Sequence, residues 1–435
     1  MDKHSLTHEL HSPEEYEPRA KWKNPYRGMI RLWCYDIGSI SFLATALMAV
    51  IIALSALAFD KPDVFTLLYS VSINCVFATI AWQINRMRSI ESIQLIPNLF
   101  NYLLKQAFSL ALVNVSLGMA ITWMFVGIEP ISRLLIATAV GLSFVRLCIL
   151  SPKLFYAAGF LFVIPAVLGD TDIAIPQPWL ILFNLIIAFE LARCLLNVKW
   201  SPDAHNVYKA SCEMGMFSVP NVGGRWIQRL QKYLHPTSFF MGNALSAILV
   251  LLIASFFVLE GANQLFGLHF PTLALLSQML VITCAIVHWT RIQRFKAFEL
   301  LYLLPTHSGL QELINQFMRG QRRLLAIITV CIALLAALTS LWIPELSKVD
   351  VIHITLSTYW GAALALGLGS MCQKVWQISL SMFVVAGQSL WLGMGIKHMS
   401  NGGDESLWMM GNVILLMLAE VALWIGKRQL WKQMK

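Results

Sequence analysis

Charged side chains are scarce in this sequence. Asp, Glu, Lys and Arg make up 13% of the 435 residues, about half of the roughly 25% found in ordinary soluble domains. Apolar residues reach 57%, so the folded chain has too few polar side chains to cover its surface in water. This composition excludes a soluble globular protein and predicts that membrane lipid surrounds the chain.

Sequence patterns of several other protein classes are missing as well. The apolar segments are continuous and lack the alternation that marks the strands of a membrane β-barrel. The eight cysteines stand singly, so we interpret them as small buried apolar residues. No G-x-x-x-x-G-K-[ST] loop occurs, so the chain cannot bind ATP in the P-loop manner. No paired carboxylates or Ser/His/Asp grouping stands out, and we expect no catalytic residue, metal or cofactor in this chain.

Apolar runs of about 20 residues, long enough to cross roughly 30 Å of hydrocarbon, recur along the whole chain. They predict an all-α polytopic membrane protein with about 12 transmembrane helices. The predicted spans lie at residues 38–59, 66–84, 106–127, 132–150, 153–169, 178–197, 239–260, 270–290, 323–343, 351–371, 376–395 and 407–426.

A polar stretch rich in proline and glycine divides these spans into two groups of six. The predicted regions are a cytoplasmic tail with an interfacial helix at 1–37, a first six-span half at 38–200, a cytoplasmic linker with an interfacial helix at 201–238, and a second six-span half at 239–435. The segments "KWKNPYRGMIRLW" and "GGRWIQRLQKYL" interleave aromatic, apolar and basic residues. This mixture is typical of a helix that lies in the membrane interface.

Lysine and arginine are distributed unevenly between the two sides of the predicted membrane. Only Lys61, Arg133, Lys348 and Lys397 fall on one side, and most of the other basic residues fall on the opposite side. Because basic loops stay in the cytoplasm, both termini are predicted to be cytoplasmic. This bias accounts for the net charge of +9, and we expect no nucleic-acid partner.

Two charged segments repeat at corresponding places in the two halves. "RSIESIQLIP" follows the second predicted span and "KAFELLYLLP" follows the eighth, and they align without a gap. The aligned pairs are Arg88 with Lys296, Glu91 with Glu299, Leu95 with Leu303, and Pro97 with Pro305. Six spans per half give both halves the same orientation, so the pattern predicts two parallel six-helix repeats.

Each segment has the form of a short helix, a break at proline and a second helix that returns to the membrane. Proline disfavours helix at the residue before it and is tolerated in a first helical turn. The short helix would then lie flat on the cytoplasmic face with its apolar side chains half exposed. Such a helix fits a groove in another protein, and two of them suit a two-fold symmetric partner.

These two segments resemble the loop between the second and third spans of ABC-2 type transporter permeases. In that family a basic residue, a glutamate, a leucine and a proline form a coupling helix, followed by a small hydroxyl residue. The first copy departs from the pattern because it lacks that hydroxyl residue. The resemblance assigns coupling to an ATPase to Arg88, Glu91, Leu95, Pro97, Lys296, Glu299, Leu303, Pro305 and Ser308.

The resemblance implies a permease that consists of two fused halves and works as an exporter. A separate ATPase subunit, in two copies, would bind ATP and Mg²⁺ and dock on the coupling helices. The expected cargo is amphipathic or apolar, such as a peptide, an antibiotic or a lipid-like molecule. The expected location is the bacterial cytoplasmic (inner) membrane.

Each half has one acid late in its last predicted span. Glu190 and Glu420 are candidates for the transport path, because an ionisable residue at membrane depth is often functional. They could equally pair with Arg193 and Lys427 at the interface. Two other functions stay open: a six-plus-six secondary transporter driven by an ion gradient, and a membrane scaffold whose repeated segments bind a partner other than an ATPase.

Overall fold

The described part of the chain is helical, and no strand occurs in it. The computed structural model describes residues 24–91, 96, 98–162, 176–196, 198–214, 224–266, 271–303, 309–342, 346–400 and 402–432.

The first group of long helices, which we call the N-terminal bundle, covers α2 to α6. A short helix, α1, precedes it, and a 3-10 helix, Pro152–Phe162, follows α5. The helices are α1 Met29–Cys34, α2 Ile37–Ala58, α3 Pro62–Ser89, α4 Leu99–Phe125, α5 Ile131–Leu150 and α6 Gln177–Leu196.

The second group, which we call the C-terminal bundle, covers α9 to α15. Two shorter helices, α7 and α8, connect it to the first. The helices are α7 Pro202–Met214, α8 Arg225–Tyr233, α9 Asn243–Phe266, α10 Thr272–Gln293, α11 Phe298–Tyr302, α12 Leu310–Trp342, α13 Lys348–Met371, α14 Val375–Ser400 and α15 Glu405–Gln429.

Among the described residues, ten helices are long and apolar enough to cross a membrane: α2, α3, α4, α5, α6, α9, α10, α12, α13 and α15. The prediction of a polytopic α-helical membrane protein is confirmed at this level. The predicted span at 153–169 falls on the 3-10 helix and on residues outside the described part. The predicted span at 376–395 lies within α14, which is helical but is not one of the ten. The total of twelve spans stays a prediction.

Local sequence signals explain where several of the long helices begin. Asp36 precedes α2, and its carboxylate accepts a hydrogen bond from the backbone N–H of Ser39. Ser347 and Asp350 form a reciprocal capping box at the start of α13. Each of these caps satisfies backbone N–H groups that the first turn of a helix leaves without a partner.

The long helices differ in how far they are buried within the protein. α3 and α10 are mostly buried inside the protein, whereas α4 and α6 are mostly exposed along their apolar length. α3 carries Asn74, Thr79 and Gln83, all fully buried, and such side chains are costly against lipid but can hydrogen-bond within a protein. The buried polar side chains of α3 therefore favour its central position.

Each bundle has its own hydrophobic core. One cluster of buried apolar residues belongs to the N-terminal bundle, and a separate, larger one belongs to the C-terminal bundle. In the first, α3 packs on α2 and α5, and α5 packs on α6. In the second, α10 packs on α13, α14 and α9, and α13 packs on α15.

Two sets of contacts join the bundles. α2 packs against α14, and α7 packs against both α3 and α10. We call the end of the molecule at which α3 and α10 finish the basic end, because Arg86, Arg88, Arg291 and Arg294 lie there. α7 occupies the seam between the bundles at this end.

Small residues allow α13 and α15 to approach closely. A Cβ atom added at Gly426 would lie 2.6 Å from the backbone oxygen of Gly367, and one added at Gly367 would lie 2.7 Å from the backbone of Ala422. Backbone atoms cannot move aside as a flexible side chain can. This contact resembles the small-residue packing typical of membrane helices.

Gly426→Ala is expected to destabilise the protein by about 1–3 kcal/mol, the usual cost of overpacking a tight contact. Gly387→Ala is the matched control, since Gly387 also lies within a helix but has open space around the added Cβ. Thermal unfolding of the purified protein in detergent measures both. Equal melting temperatures for the two variants would contradict the close α13–α15 contact.

Candidate functional site

The second repeated segment forms a short helix that lies across the basic end. After α10, a 3-10 turn over Phe295–Ala297 leads directly into α11. Phe298 and Leu301 are buried, and the ring centre of Phe298 lies 4.7 Å from that of Trp431. One face of α11 is therefore held against the last residues that follow α15.

The opposite face of α11 is open. Lys296 and Glu299 are exposed, and beside them Leu300 and Leu303 are 66% and 76% exposed. An exposed apolar patch with charged neighbours is typical of a protein-docking surface. We call Lys296, Glu299, Leu300, Tyr302 and Leu303 the α11 patch. Pro305 and Ser308, which the sequence also assigns to this site, lie outside the described residues.

The first repeated segment is described only in part. Glu91 is exposed, as is Ile96, whereas Leu95 and Pro97 lie outside the described residues. The likeness of this segment to the α11 patch stays a prediction.

Arg88 has structural contacts of its own. Its Nη1 donates to the backbone oxygen of Ile149 at 2.7 Å, and its Nε donates to that of Lys199 at 3.2 Å. The N–H of Ser201 donates to the carbonyl of Arg88 in return. The guanidinium thus satisfies a carbonyl at the C-terminal end of α5 and ties it to the chain that follows α6.

The C-terminal bundle has an arginine with a comparable role, which the alignment of the two repeated segments does not reveal. The Nη2 of Arg291 donates to the backbone oxygens of Gly369 (3.1 Å) and Cys372 (2.7 Å) at the end of α13. In the gapless alignment Arg291 pairs with Gln83 and Arg88 pairs with Lys296. The only sequence signal for Arg291 is an arginine in the last turn of an apolar helix.

Asp36 organises the basic end of the N-terminal bundle. Its carboxylate accepts a hydrogen bond from the indole N–H of Trp82 and forms an ion pair with Arg86 at 3.2 Å. The ring of Trp82 then packs on Phe155 and Tyr208, with ring centres 5.4 Å and 5.1 Å away. Burial is the main cause that raises the pKa of the Tyr208 hydroxyl, so this hydroxyl is neutral at physiological pH.

The two acids named from the sequence are both paired. Glu190 lies 3.4 Å from Arg193 and 3.8 Å from Arg146 of α5, so the expected contact with Arg193 is present. Glu420 accepts a hydrogen bond from the hydroxyl of Tyr359 in α13 and lies 3.9 Å from Arg322. These partners replace the expected Lys427. Each acid therefore joins the last long helix of its bundle to α5 or α13.

Arg88→Ala is expected to destabilise the protein by about 1–3 kcal/mol, because it leaves the partly buried carbonyl of Ile149 without its charged donor. Lys296→Ala removes the exposed residue that aligns with Arg88, and its effect is expected to stay within about 0.5 kcal/mol. Thermal unfolding in detergent separates the two. An unchanged melting temperature for Arg88→Ala would show that the guanidinium does not hold α5.

A comparison with known proteins found no family model, no curated protein and no solved structure that matches this chain.

Proposed function

We propose that the chain is the transmembrane permease of an ATP-driven exporter similar to the ABC-2 type. The α11 patch carries the proposal. It lies on a short helix with one face buried on the bundle, and the exposed face presents Glu299 beside Leu300 and Leu303. A rigidly supported amphipathic helix of this kind is suited to a groove on a partner subunit.

The packing of the two bundles supports a duplicated permease of twelve spans in two parallel repeats. Each bundle has a central helix, α3 or α10, that packs on α5 or α13. In each, that helix carries an arginine bonded to carbonyls at the end of its neighbour. In each, the same neighbour packs on the last long helix, α6 or α15. Two such halves would offer docking sites to two ATPase copies.

The proposed mechanism begins with an ATPase dimer docked at the basic end, which faces the cytoplasm of a bacterial cell. ATP and Mg²⁺ would bind in that partner, and closure of its dimer would push on the α11 patch. Because Phe298 packs on Trp431, the push passes to α15. A shift between the bundles would open a path for an amphipathic or apolar cargo, such as a peptide, an antibiotic or a lipid-like molecule.

One observation favours the alternative of a secondary transporter driven by an ion gradient. The C-terminal bundle buries two histidines in its interior. His288 bonds to Gln321 at 2.9 Å and His353 bonds to Asn412 at 2.8 Å, and both histidines are fully buried. Buried ionisable groups often line a proton or ion path. Gradient-driven uptake by the purified chain alone would favour this alternative.

The exporter proposal predicts that an ATPase carrying a P-loop co-purifies with the detergent-solubilised chain. Replacing both Glu91 and Glu299 with alanine is expected to lower the retained ATPase on the order of tenfold, the scale of a docking hot spot. Glu129→Ala is the matched control, since Glu129 is an exposed acid between α4 and α5 at the opposite end. Retention by the double variant equal to that by the control would overturn the docking role.

A further inference from the structure

The connecting helix α7 runs beside α3 in the opposite direction. The Nδ1 of His205 lies 3.0 Å from the backbone oxygen of Ser89, the last residue of α3. One turn later, the ring of Tyr208 reaches Trp82, which lies seven residues further inside α3. At 1.5 Å per residue Trp82 lies roughly 10 Å along α3 from Ser89, whereas α7 itself advances only about 4.5 Å between His205 and Tyr208. α7 thus runs along α3 from the basic end.

The far end of α7 contacts the other bundle. The indole N–H of Trp289 in α10 donates to the backbone oxygen of Cys212 at 2.9 Å. Trp289 itself is buried. One helix of 13 residues therefore bridges the central helices of both bundles, in the seam that lies between them.

The two faces of α7 differ in polarity and burial. Ala204, Val207 and Ser211 are buried, at the spacing of one helical face, whereas Asn206 and Lys209 are exposed. The buried residues are small, which permits the helix to approach α3 closely. The exposed polar face fits an aqueous entrance and would be costly against lipid.

Besides its buried face, α7 is held by contacts of different kinds. They include the Trp289–Cys212 hydrogen bond, the Tyr208–Trp82 ring contact and an ion pair of 3.3 Å between Lys153 and Asp203. Both side chains of the ion pair are largely exposed, so it adds little stability. Trp82 is more firmly held, because Asp36 accepts its indole N–H. Trp82 is therefore a fixed surface on which Tyr208 of α7 packs.

We propose that α7 is a movable plug that closes the seam between the two bundles at their basic end. In the closed state Tyr208 rests on Trp82, and the Cys212 carbonyl accepts the Trp289 N–H. Parting of α3 from α10 breaks one of these contacts and releases the helix. The plug proposal rests on the proposed function only because it places the transport path between the two bundles. It requires no particular ATPase.

The first measurement is the thiol reactivity of Cys212, in a full-length variant whose other seven cysteines are replaced by alanine. None of the eight described cysteines forms a disulfide. In this background, Tyr208→Ala with Trp289→Phe is expected to speed labelling by a membrane-impermeant maleimide on the order of tenfold. This factor corresponds to a loss of about 1.4 kcal/mol in the free energy that favours the closed position of α7. Asn206→Ala with Lys209→Ala changes only exposed residues of the same helix and is expected to leave the rate unchanged.

The second measurement is leakage of a small fluorescent dye from liposomes that contain the full chain without ATPase. The wild type and the Asn206/Lys209 control are expected to retain the dye, and the Tyr208/Trp289 variant is expected to release it several-fold faster. Trp289→Phe alone keeps the aromatic ring and loses only the N–H donor, so it is expected to fold and to leak to a smaller extent.

Faster labelling together with faster leakage supports the plug. Faster labelling without leakage overturns it, because the helix would then be loosened without opening a path. Unchanged labelling also overturns it, because the contacts of Tyr208 and Trp289 would then not hold α7. Since neither assay contains an ATPase, failure to find that partner would count against the proposed exporter and leave these outcomes unaffected.

Discussion

The carboxylate of Asp36 is the constraint on which the N-terminal bundle and its seam depend. It caps α2, accepts the indole N–H of Trp82 and pairs with Arg86, so a single buried charge joins the start of α2 to the end of α3. A buried acid is unfavourable unless donors surround it. Three donors satisfy this charge, and the bond to one of them, the indole N–H, fixes the Trp82 ring that Tyr208 of α7 contacts.

Both bundles use arginine to order their basic ends. The last carbonyls of a helix have no partner within it and carry partial negative charge. Arg88 and Arg291 supply donors to the ends of α5 and α13 from helices that are distant in sequence. A positive residue in this place therefore has two effects: it favours a cytoplasmic location through the positive-inside bias, and it fixes the packing of neighbouring helices.

The proposed docking surface and the proposed plug lie at the same end and reach the bundles by different routes. The α11 patch is supported by Phe298 on Trp431, which links it to α15. α7 is supported by Trp82 and Trp289, which belong to α3 and α10. Because α10 leads into α11 and also carries Trp289, a shift of α10 would move both. This connection gives a physical route from partner docking to the opening of the seam.

The sequence alone determined the membrane character and ten of the long helices. These features depend on the transfer of each segment between water and lipid, which is a local property. Tertiary structure alone decided that Arg88 anchors α5, that Glu420 pairs with Tyr359 and Arg322, and that the polar linker contains a helix lying between the bundles. Those contacts join residues far apart in the chain. Hydropathy and spacing carry no information about which distant donor meets which acceptor.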